Sequence, residues 1–415
     1  MSDAERLEFW SCLALKHGLG SARLRKKILE RYGLASLAVA RPKAWLEQGL
    51  ANSDQVSAFL GESWREGAER ELAMAEEQGL AVLTWSDARY PQGLREIPDP
   101  PVLLYHSGDL SLLDSPGLAM VGARECSRYG MELAHRIAVD LAQQGITVIS
   151  GMAYGIDREA HLGGLAGPGG SIAVLGTGLD LVYPACNRDL WRELSDKGLI
   201  LTEFGPGTKP LGHNFPQRNR IISALSLGVL VVEAKSKSGS LITARLAMEQ
   251  GREVFAVPGP VSLPSYRGCH GLINQGAKLV HNAEDILVEL APQLQAFLGQ
   301  AARVKVPPRA RPGPARPGLL EPQTKTRAFA GPPSRPRSPA KAPPSAPTPV
   351  DSSFPELDQS LEKSVAEHLA AAGTVHLDVL CRALERQAGE LSGVLVLLEM
   401  KGVVRRLPGM YYRLA

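Results

Sequence analysis

The sequence predicts an α/β protein with a doubly wound, mostly parallel sheet at its centre. From Gly117 to about Leu290, apolar runs of strand length alternate with helical stretches at least five times. Such alternation is typical of a parallel sheet covered by helices on both faces. The runs are nearly continuous in Val, Ile and Leu, as strands buried on both faces require. In chain order they are LAMVG, TVISG, SIAVLG, LILTE, GVLVVEA and EVFAVPG.

A helical domain is predicted before this core, over residues 1–80, where apolar positions such as Leu24 and Ile28 fall at helical spacing. The GLG turn at 18–20 and the following SARLRKKILERYG resemble a helix-hairpin-helix or sterile-alpha-motif-like bundle, in which backbone amides can face a DNA phosphate. A helix C-cap followed by an ordinary amphipathic helix explains the same residues. The core domain is expected over residues 81–295, where AVLTW and PVLLYHSG are two further candidate strands.

Residues 296–356 are predicted to be a disordered linker. Between 301 and 350 there are fourteen prolines, ten Lys or Arg and one Glu, a composition that cannot bury a core. This stretch has a formal charge of +9 while the whole chain has +3, so the other residues sum to −6. Overall basicity therefore does not indicate nucleic-acid binding, and any such site in the folded part has to be a local patch.

A small separate domain is predicted over residues 357–415. LDQSLEKSVAEHLAAAG, VHLDVLCRAL and ELSGVLVLLEMKG are predicted helices, and VVRRLPGMYYRL predicts two strands around the Pro-Gly at 408–409. Three helices and a hairpin look like a winged helix. The third helix carries Glu390 and Glu399 and has no basic residue before Lys401. That pattern is poor for reading a DNA groove, so a protein contact is favoured for this domain.

Several classes of protein are disfavoured. No run of about eighteen apolar residues predicts a membrane span, and the charged start MSDAERLEFW lacks the apolar core of a signal peptide. A cytoplasmic protein is therefore expected. The five cysteines form no CxxC pair, which argues against a disulfide framework or a zinc site. GxSxG, HExxH and GxxxxGK[ST] are absent, and the first core strand leads into GARECSRYG rather than GxGxxG, so hydride transfer and Walker-type ATP hydrolysis are disfavoured.

Four glycine-bearing segments follow predicted strands, and the carboxyl ends of parallel strands converge on one crevice. In the first, VGARECSRYG, backbone amides next to Gly122 and the Ser127 hydroxyl can hold an anion. Arg124 can add a charge-assisted phosphate contact, with a surface ion pair as the alternative. In the second, SGMAYGID, Gly151 and Gly155 allow the backbone to approach a ligand closely.

The second segment continues into a helix that carries Asp157 and His161 on one face. A helix cap and a packed histidine are favoured there over an acid/base pair. The third segment, LGTGLD, is expected to line the same edge. The fourth, KSKSGSLIT, resembles an anion nest with a lysine beside it. Its candidate residues are Lys235, Ser238, Gly239 and Ser240.

Between the third and fourth segments, NFPQRNRII places an aromatic ring beside two guanidinium groups and an amide. Phe215, Arg218, Asn219 and Arg220 are the residues concerned. This combination suits a stacked base beside a phosphate. A hydrophobic staple at Phe215 with solvated arginines fits the spacing equally well.

In this order, VGARECSRYG, SGMAYGID with the following AH, AVLGTGLDLVYP, NFPQRNRIISALS, EAKSKSGSLITAR and VPGP resemble the DNA-processing protein A (Smf) family. The resemblance covers about residues 80–290, and the flanking regions match the family's layout more loosely. It implies an extended Rossmann fold that forms homodimers and binds single-stranded DNA without strong sequence preference. It also implies protection of incoming DNA and help in loading the RecA recombinase during natural transformation, with no cofactor, no metal and no catalytic turnover.

By motif position, the resemblance implies one main phosphate contact and two flanking walls. Arg124 is that contact, with Gly122 and Ser127 beside it, Lys235, Ser238, Gly239 and Ser240 on the opposite wall, and Phe215 and Arg218 for stacking and charge. The chain departs from the family pattern at three places, each of which bears on affinity. Tyr154 stands where Arg is usual, and Gly212 where a lysine is often found. In SYRGCHGLINQGA, His270 and Asn274 stand where Asn and Arg are commoner.

Two other functions remain open. The core is also similar to nucleotide phosphoribohydrolases of the lysine-decarboxylase-like group, which carry PGGxGT followed by a glutamate on the next helix. The corresponding run here, SKSGSLITARLAME, has its first carboxylate as late as Glu249, which disfavours hydrolysis. The third hypothesis is a protein-interaction scaffold, with the linker and the winged helix as docking parts.

Overall fold

The computed structural model describes residues 2–301 and most of 359–414. The gaps in the second range are 374, 385, 387–390, 392–393, 396–397, 400–402 and 408–410. The two ranges belong to two compact units. Residues 296–301, which were predicted as the start of the linker, instead form the end of a helix that spans Ala283–Ala301. The rest of the predicted linker, from residue 302 onward, lies outside the described residues. Within the described ranges no helix combines the length and apolar character of a membrane span, and no group of three His, Cys, Asp or Glu is placed to hold a metal ion.

A sheet of nine strands forms the centre of the first unit. Its strands are β1 (Ala81–Thr84), β2 (Leu103–Gly108), β3 (Gly117–Val121), β4 (Thr147–Ser150), β5 (Ser171–Val174), β6 (Leu199–Thr202), β7 (Gly228–Val231), β8 (Glu253–Ala256) and β9 (Lys278–Leu279). Their spatial order is β1-β2-β6-β5-β4-β3-β7-β8-β9. Strands β3 to β9 are parallel, and β1 and β2 form an antiparallel edge beside β6. The predicted doubly wound, mostly parallel sheet is confirmed.

The helices of the first unit fall into two sets. Those of the first eighty residues are α1 (Asp3–Gly18), α2 (Ala22–Tyr32), α3 (Ala35–Val39), α4 (Lys43–Glu47), α5 (Ser53–Leu60) and α6 (Arg65–Glu77). Those of the sheet region are α7 (Gln92–Glu96), α8 (Arg128–Gln143), α9 (Ile156–Leu165), α10 (Arg188–Lys197), α11 (Asn214–Ala224), α12 (Ser240–Glu249), α13 (Arg267–Asn274) and α14 (Ala283–Ala301). Short 3₁₀ helices cover Leu110–Asp114, Ala185–Asn187 and Pro264–Tyr266.

The strand order reverses at β3. From β3 the chain builds β4, β5 and β6 on one side and then returns to place β7 on the other side. In an open α/β sheet, ligands bind outside the carboxyl ends of the strands at such a reversal. Strand β3 is buried on both faces, with Leu118 and Met120 in one apolar cluster and Ala119 and Val121 in the other. The alternation follows from the two-residue repeat of a strand.

The helices of the first eighty residues share an apolar core with the sheet. Phe9 packs edge-on against Tyr105 of β2, with ring centroids 6.0 Å apart. A partly buried carboxylate, Glu71 of α6, accepts hydrogen bonds from the Tyr105 hydroxyl at 2.8 Å and from Lys16 Nζ at 2.6 Å, and it lies 2.7 Å from His17 Nε2. The same Lys16 donates to the carbonyl of Glu203, beyond β6. Glu71 therefore joins three elements at the junction of helices and sheet.

Acid is expected to destabilise the protein through Glu71. Burial alone raises the pKa of its carboxyl, but hydrogen bonds from His17, Lys16 and Tyr105 outweigh it and lower the pKa from 4.5 to about 2. A lowered folded-state pKa gives stability that is present above pH 4.5 and lost as the pH falls toward 2. Urea unfolding of wild type and Glu71→Gln at pH 7, 4 and 3 should show the largest difference at pH 7. A difference that stays constant with pH would contradict this assignment.

The second unit contains the elements expected of a winged helix. Its described elements are α15 (Gln359–Ala372), β10 (Val375–His376), α16 (Leu377–Leu384), β11 (Val404–Leu407) and β12 (Tyr411–Leu414). The strands pair antiparallel in the order β10-β12-β11. Gly373 ends α15 with φ +75° and donates its N–H to Leu369. Glu390 and Lys401 of the sequence argument lie outside the described residues.

Candidate nucleic-acid interface

A cleft of about 510 Å³ opens at the carboxyl ends of the parallel strands, where the strand order reverses. The segments after β3, β4 and β7 line it together with α11, and the segment after β5 contributes Tyr183. Of the residues singled out in the sequence, it is lined by Gly122, Arg124, Phe215, Arg218, Asn219, Ser238, Gly239 and Ser240. Gly151 lines a small adjoining hollow. The glycine-bearing segments therefore meet at one sheet edge.

A free cation lies on an aromatic surface at the rim of this cleft. The Arg124 guanidinium is 5.5 Å from the centroid of the Phe215 ring, and the Phe215 and Tyr183 centroids are 5.6 Å apart. Arg124 is exposed and forms no ion pair with any carboxylate in the described part of the chain. The alternative of a surface ion pair is therefore not what the structure contains. Tyr154, which replaces the family's usual arginine, is also exposed beside the adjoining hollow.

Arg218 lies in the floor of the cleft and connects the loop after β4 to the end of β5. Its side chain is only 4% exposed, and its Nη1 donates to the carbonyl of Gly151 at 2.9 Å and to that of Val174 at the end of β5. Burial lowers the pKa of this guanidinium to about 10, and the nearby Asp157 opposes the change. Arg218 is therefore still charged at neutral pH. Its Nη1 donates to two protein carbonyls, while its Nε has no hydrogen-bond partner among the described residues.

Asp157 organises the loop after β4. Its Oδ2 accepts the N–H groups of Gly151 at 3.2 Å and Ala153 at 3.4 Å. Burial raises the pKa of this carboxyl, opposed by the Arg218 charge and by those two amides. The predicted helix cap is wrong, because α9 begins at Ile156 and the carboxylate binds the preceding loop instead of the free amides of the helix.

His161 is a packed, neutral histidine, as the sequence favours. Its Nε2 accepts the Met152 N–H at 3.1 Å, and its Nδ1 lies 2.8 Å from the Ser171 hydroxyl. Because Ser171 donates its proton to Val148, Nδ1 is the protonated nitrogen. Burial lowers the pKa of His161 to about 3, so it does not exchange protons near neutral pH.

Close backbone approach at two glycines is made to the protein itself. A Cβ at Gly151 would lie 2.5 Å from the Arg218 guanidinium. Gly155 has φ +67°, and a Cβ there would lie 2.4 Å from the carbonyl oxygen of Ala123. A larger residue at Gly151 would therefore displace the Arg218 side chain, and one at Gly155 would separate the loop after β4 from the loop after β3. These glycines set the positions of the loops that carry the rim.

The remaining candidates lie at different depths. Ser238 and Ser240 face each other with hydroxyl oxygens 2.7 Å apart at the start of α12, and Lys235 is exposed in the same loop. Arg220 does not reach the cleft. Its Nη2 donates to Glu203 at 2.5 Å, and its Nε lies 2.8 Å from Asp99.

Sequence reasoning missed two residues near the first turn and the aromatic rim. Glu233, beyond β7, accepts hydrogen bonds from the N–H and hydroxyl of Ser127. Its only signal in the sequence is a single carboxylate that ends an apolar run. Tyr183 extends the aromatic surface of Phe215, and its letters VYP gave no reason to single it out. Of the family departures, Gly212 lines the cleft, while His270 Nε2 lies 3.0 Å from the Gly259 carbonyl.

The chain matches two protein-family models. The model described as DNA recombination-mediator protein A matches residues 81–291, and that of the DprA winged helix domain matches residues 338–410. The winged-helix prediction is thereby confirmed.

Relatives are similar along the whole chain or over its core. Protein Smf of Synechocystis sp. is 33% identical over 418 residues, covering 100% of both chains. The DNA processing protein DprA of Streptococcus pneumoniae is 48% identical over 203 residues, which is 49% of this chain and 72% of the relative. The X-ray structure of the DprA from Streptococcus pneumoniae is 38% identical, with a TM-score of 0.60 over 68% of this chain and 97% of that one. The chain therefore belongs to the DNA-processing protein A (DprA/Smf) family.

Proposed function

We propose that the cleft binds single-stranded DNA without strong sequence preference. One observation supports this most: Arg124 is exposed, has no carboxylate partner among the described residues, and lies on the ring of Phe215, with Tyr183 next to it. Single-strand binding sites combine cations for the backbone with aromatic faces for the bases, and every base has such a face to stack. Among the described residues, the cleft lining holds two guanidinium groups and one carboxylate, so its local charge suits a phosphate although the chain outside residues 301–350 has a net negative charge.

Within this proposal, the residues act at two levels. Arg124 binds phosphate with Gly122 beside it, and Phe215 and Tyr183 stack bases. The opposite wall offers Ser238, Gly239 and Ser240, with Lys235 in the same loop. Asn219 lies on α11. Arg218, Gly151 and Gly155 act from below by fixing the loops. Ser127, which the resemblance also implies as a contact, is left out of this proposal because its N–H and its hydroxyl both donate to Glu233.

We further propose that the protein is a recombination mediator that protects incoming DNA and helps load the RecA recombinase during natural transformation, acting in the cytoplasm as a homodimer. Membership of the recombination-mediator family supports this role. Sedimentation of the protein with and without an oligonucleotide tests the dimer. Stimulation of RecA strand exchange on coated single strands tests the loading.

Fluorescence anisotropy with a labelled mixed-sequence oligonucleotide tests the DNA proposal directly. We expect binding that weakens steeply with salt, because phosphate contacts release counterions. A duplex of the same sequence should bind more weakly, since its bases are not free to stack. Failure to bind at low salt, together with capture of protein partners, would favour the scaffold hypothesis.

We also propose that the protein has no catalytic turnover, and the carboxylates near the cleft support this. Asp157, the one carboxylate that lines the cleft within the described part of the chain, is 7% exposed and accepts hydrogen bonds from two backbone amides. Glu249, the first carboxylate after the fourth segment, is the last residue of α12 and does not line the cleft. Incubation with nucleoside monophosphates should release no free base. Release of base in excess of the protein concentration would favour the phosphoribohydrolase instead.

Phe215→Ala is expected to weaken single-strand binding roughly 5- to 100-fold, because stacking contributes about 1–3 kcal/mol per base. Phe215→Tyr keeps the ring and serves as the matched control, with affinity close to wild type. Equal losses in both variants would show that packing around Gly176, and not stacking, explains the effect, since a Cβ at Gly176 would lie 2.8 Å from the Phe215 ring.

A further inference from the structure

The turn between β3 and α8 has the form of a phosphate site. It lies where the strand order reverses and ends at the N-terminus of a helix of 16 residues. In nucleotide-binding folds of this class, the free amides of that turn bind a phosphate. The donors are present in this chain, namely the backbone N–H and the hydroxyl of Ser127.

These donors already have an anionic partner within the chain. Oε2 of Glu233 accepts the Ser127 N–H at 3.0 Å and the Ser127 hydroxyl at 2.7 Å. The main chain of Glu233 also binds this turn, because its carbonyl accepts the Ala123 N–H at 2.7 Å. Glu233 is 1% exposed. A buried carboxylate therefore lies where a ligand phosphate would be expected.

The surroundings fit this carboxylate closely. A Cβ at Gly130, in the first turn of α8, would lie 2.4 Å from Oε2 of Glu233. The Ser127 hydroxyl donates to Glu233, accepts the Gly130 N–H at 3.0 Å and lies 3.2 Å from the Tyr266 hydroxyl, which can donate to it. Each hydrogen of this network thus has an acceptor. A negative charge at a helix N-terminus is also favourable.

We infer that Glu233 is a built-in substitute for a phosphate: it occupies the anion position of the β3–α8 turn, excludes nucleotide phosphates from it, and holds the loop that carries Arg124. The exclusion does not depend on DNA binding. It explains why, in a sheet with a nucleotide-binding topology, the charged contact Arg124 lies on the rim of the cleft. A continuous DNA strand can reach it there.

Emptying the position should convert the turn into an anion site. In Glu233→Ala, the Ser127 donors lose their partner, so inorganic phosphate or formate should bind there. We expect the melting temperature of this variant to rise by roughly 3–6 °C more than that of wild type between 100 mM chloride and 100 mM phosphate at matched ionic strength. Glu233→Gln keeps the position filled and should respond like wild type.

Two results would overturn the inference. The first is that Glu233→Ala gains no more stability from phosphate or formate than wild type does. The second is that Glu233→Gln gains as much as Glu233→Ala, which would put the anion elsewhere. A variant that remains unfolded in all three anions counts as the first result.

A pair of glycine variants tests the geometry without any ligand. Gly130→Ala places a methyl group against Glu233 in wild type, so it should lower the melting temperature there. In the Glu233→Ala background the methyl group has room, and alanine is the better helix former, so the same change should raise the melting temperature or leave it unchanged. Equal effects in both backgrounds would contradict the close contact and with it the inference. Because this readout involves no DNA, it is independent of the proposed function.

Discussion

Arg124→Ala is expected to weaken single-strand binding about 10- to 100-fold, because hydrogen bonds to charged groups contribute about 1.5–3 kcal/mol. The guanidinium has no carboxylate partner in the described chain and rests on the Phe215 ring, so its removal exposes the ring but breaks no ion pair. Anisotropy titrations over a salt series should also show the slope of log affinity against log salt falling by about one.

Arg128→Ala is the matched control for this experiment. Arg128 lies four residues further on in the same segment, carries the same charge and is exposed. It is paired with Glu132 at 2.7 Å and does not line the cleft. Its loss should change affinity little. Unchanged binding by Arg124→Ala would remove the site assignment, and equal losses in both variants would indicate a diffuse electrostatic attraction.

Arg218→Met is expected to lower the free energy of unfolding by about 3–5 kcal/mol, the usual cost of removing one partner of a buried charged network. The carbonyls of Gly151 and Val174 lose their donor, and the buried Asp157 loses its nearby positive charge. Denaturant unfolding at neutral pH measures the effect.

The double variant Arg218→Met/Asp157→Asn distinguishes the causes. It removes both charges, so it should recover part of the lost stability. An Arg218→Met variant as stable as wild type that fails to bind DNA would show that this guanidinium contacts the strand, as the family resemblance implies, and would refute the bracing role.

The sheet and the place of the cleft could be predicted from the sequence for a physical reason. Strands buried on both faces need unbroken apolar runs, and each such run became a strand from β3 to β8. Parallel strands present their carboxyl ends at one edge, so the segments that follow them meet there. Both predictions depend on local sequence alone.

The sequence was less able to predict which residues each side chain contacts. Ser127 is held by Glu233, a residue 106 positions later, and nothing in either segment indicates that pairing. For Arg218 and Arg220, by contrast, the sequence did contain a signal, namely their helical spacing. Residues two apart on a helix point about 200° apart, so both could not face one cleft. Arg220 accordingly pairs with Glu203 and Asp99 behind it.

The apolar core that runs from the first helices into the sheet determines how this chain can be shortened. Removal of residues 1–80 would expose Tyr105 and the β1–β2 edge to solvent. A large apolar surface would result. It would also remove the hydrogen bond that Lys16 donates to the backbone beyond β6. A chain without these helices would need other apolar residues to cover that face of the sheet. The boundary near residue 80 is therefore visible in the sequence pattern, but it does not divide the protein into independently stable parts.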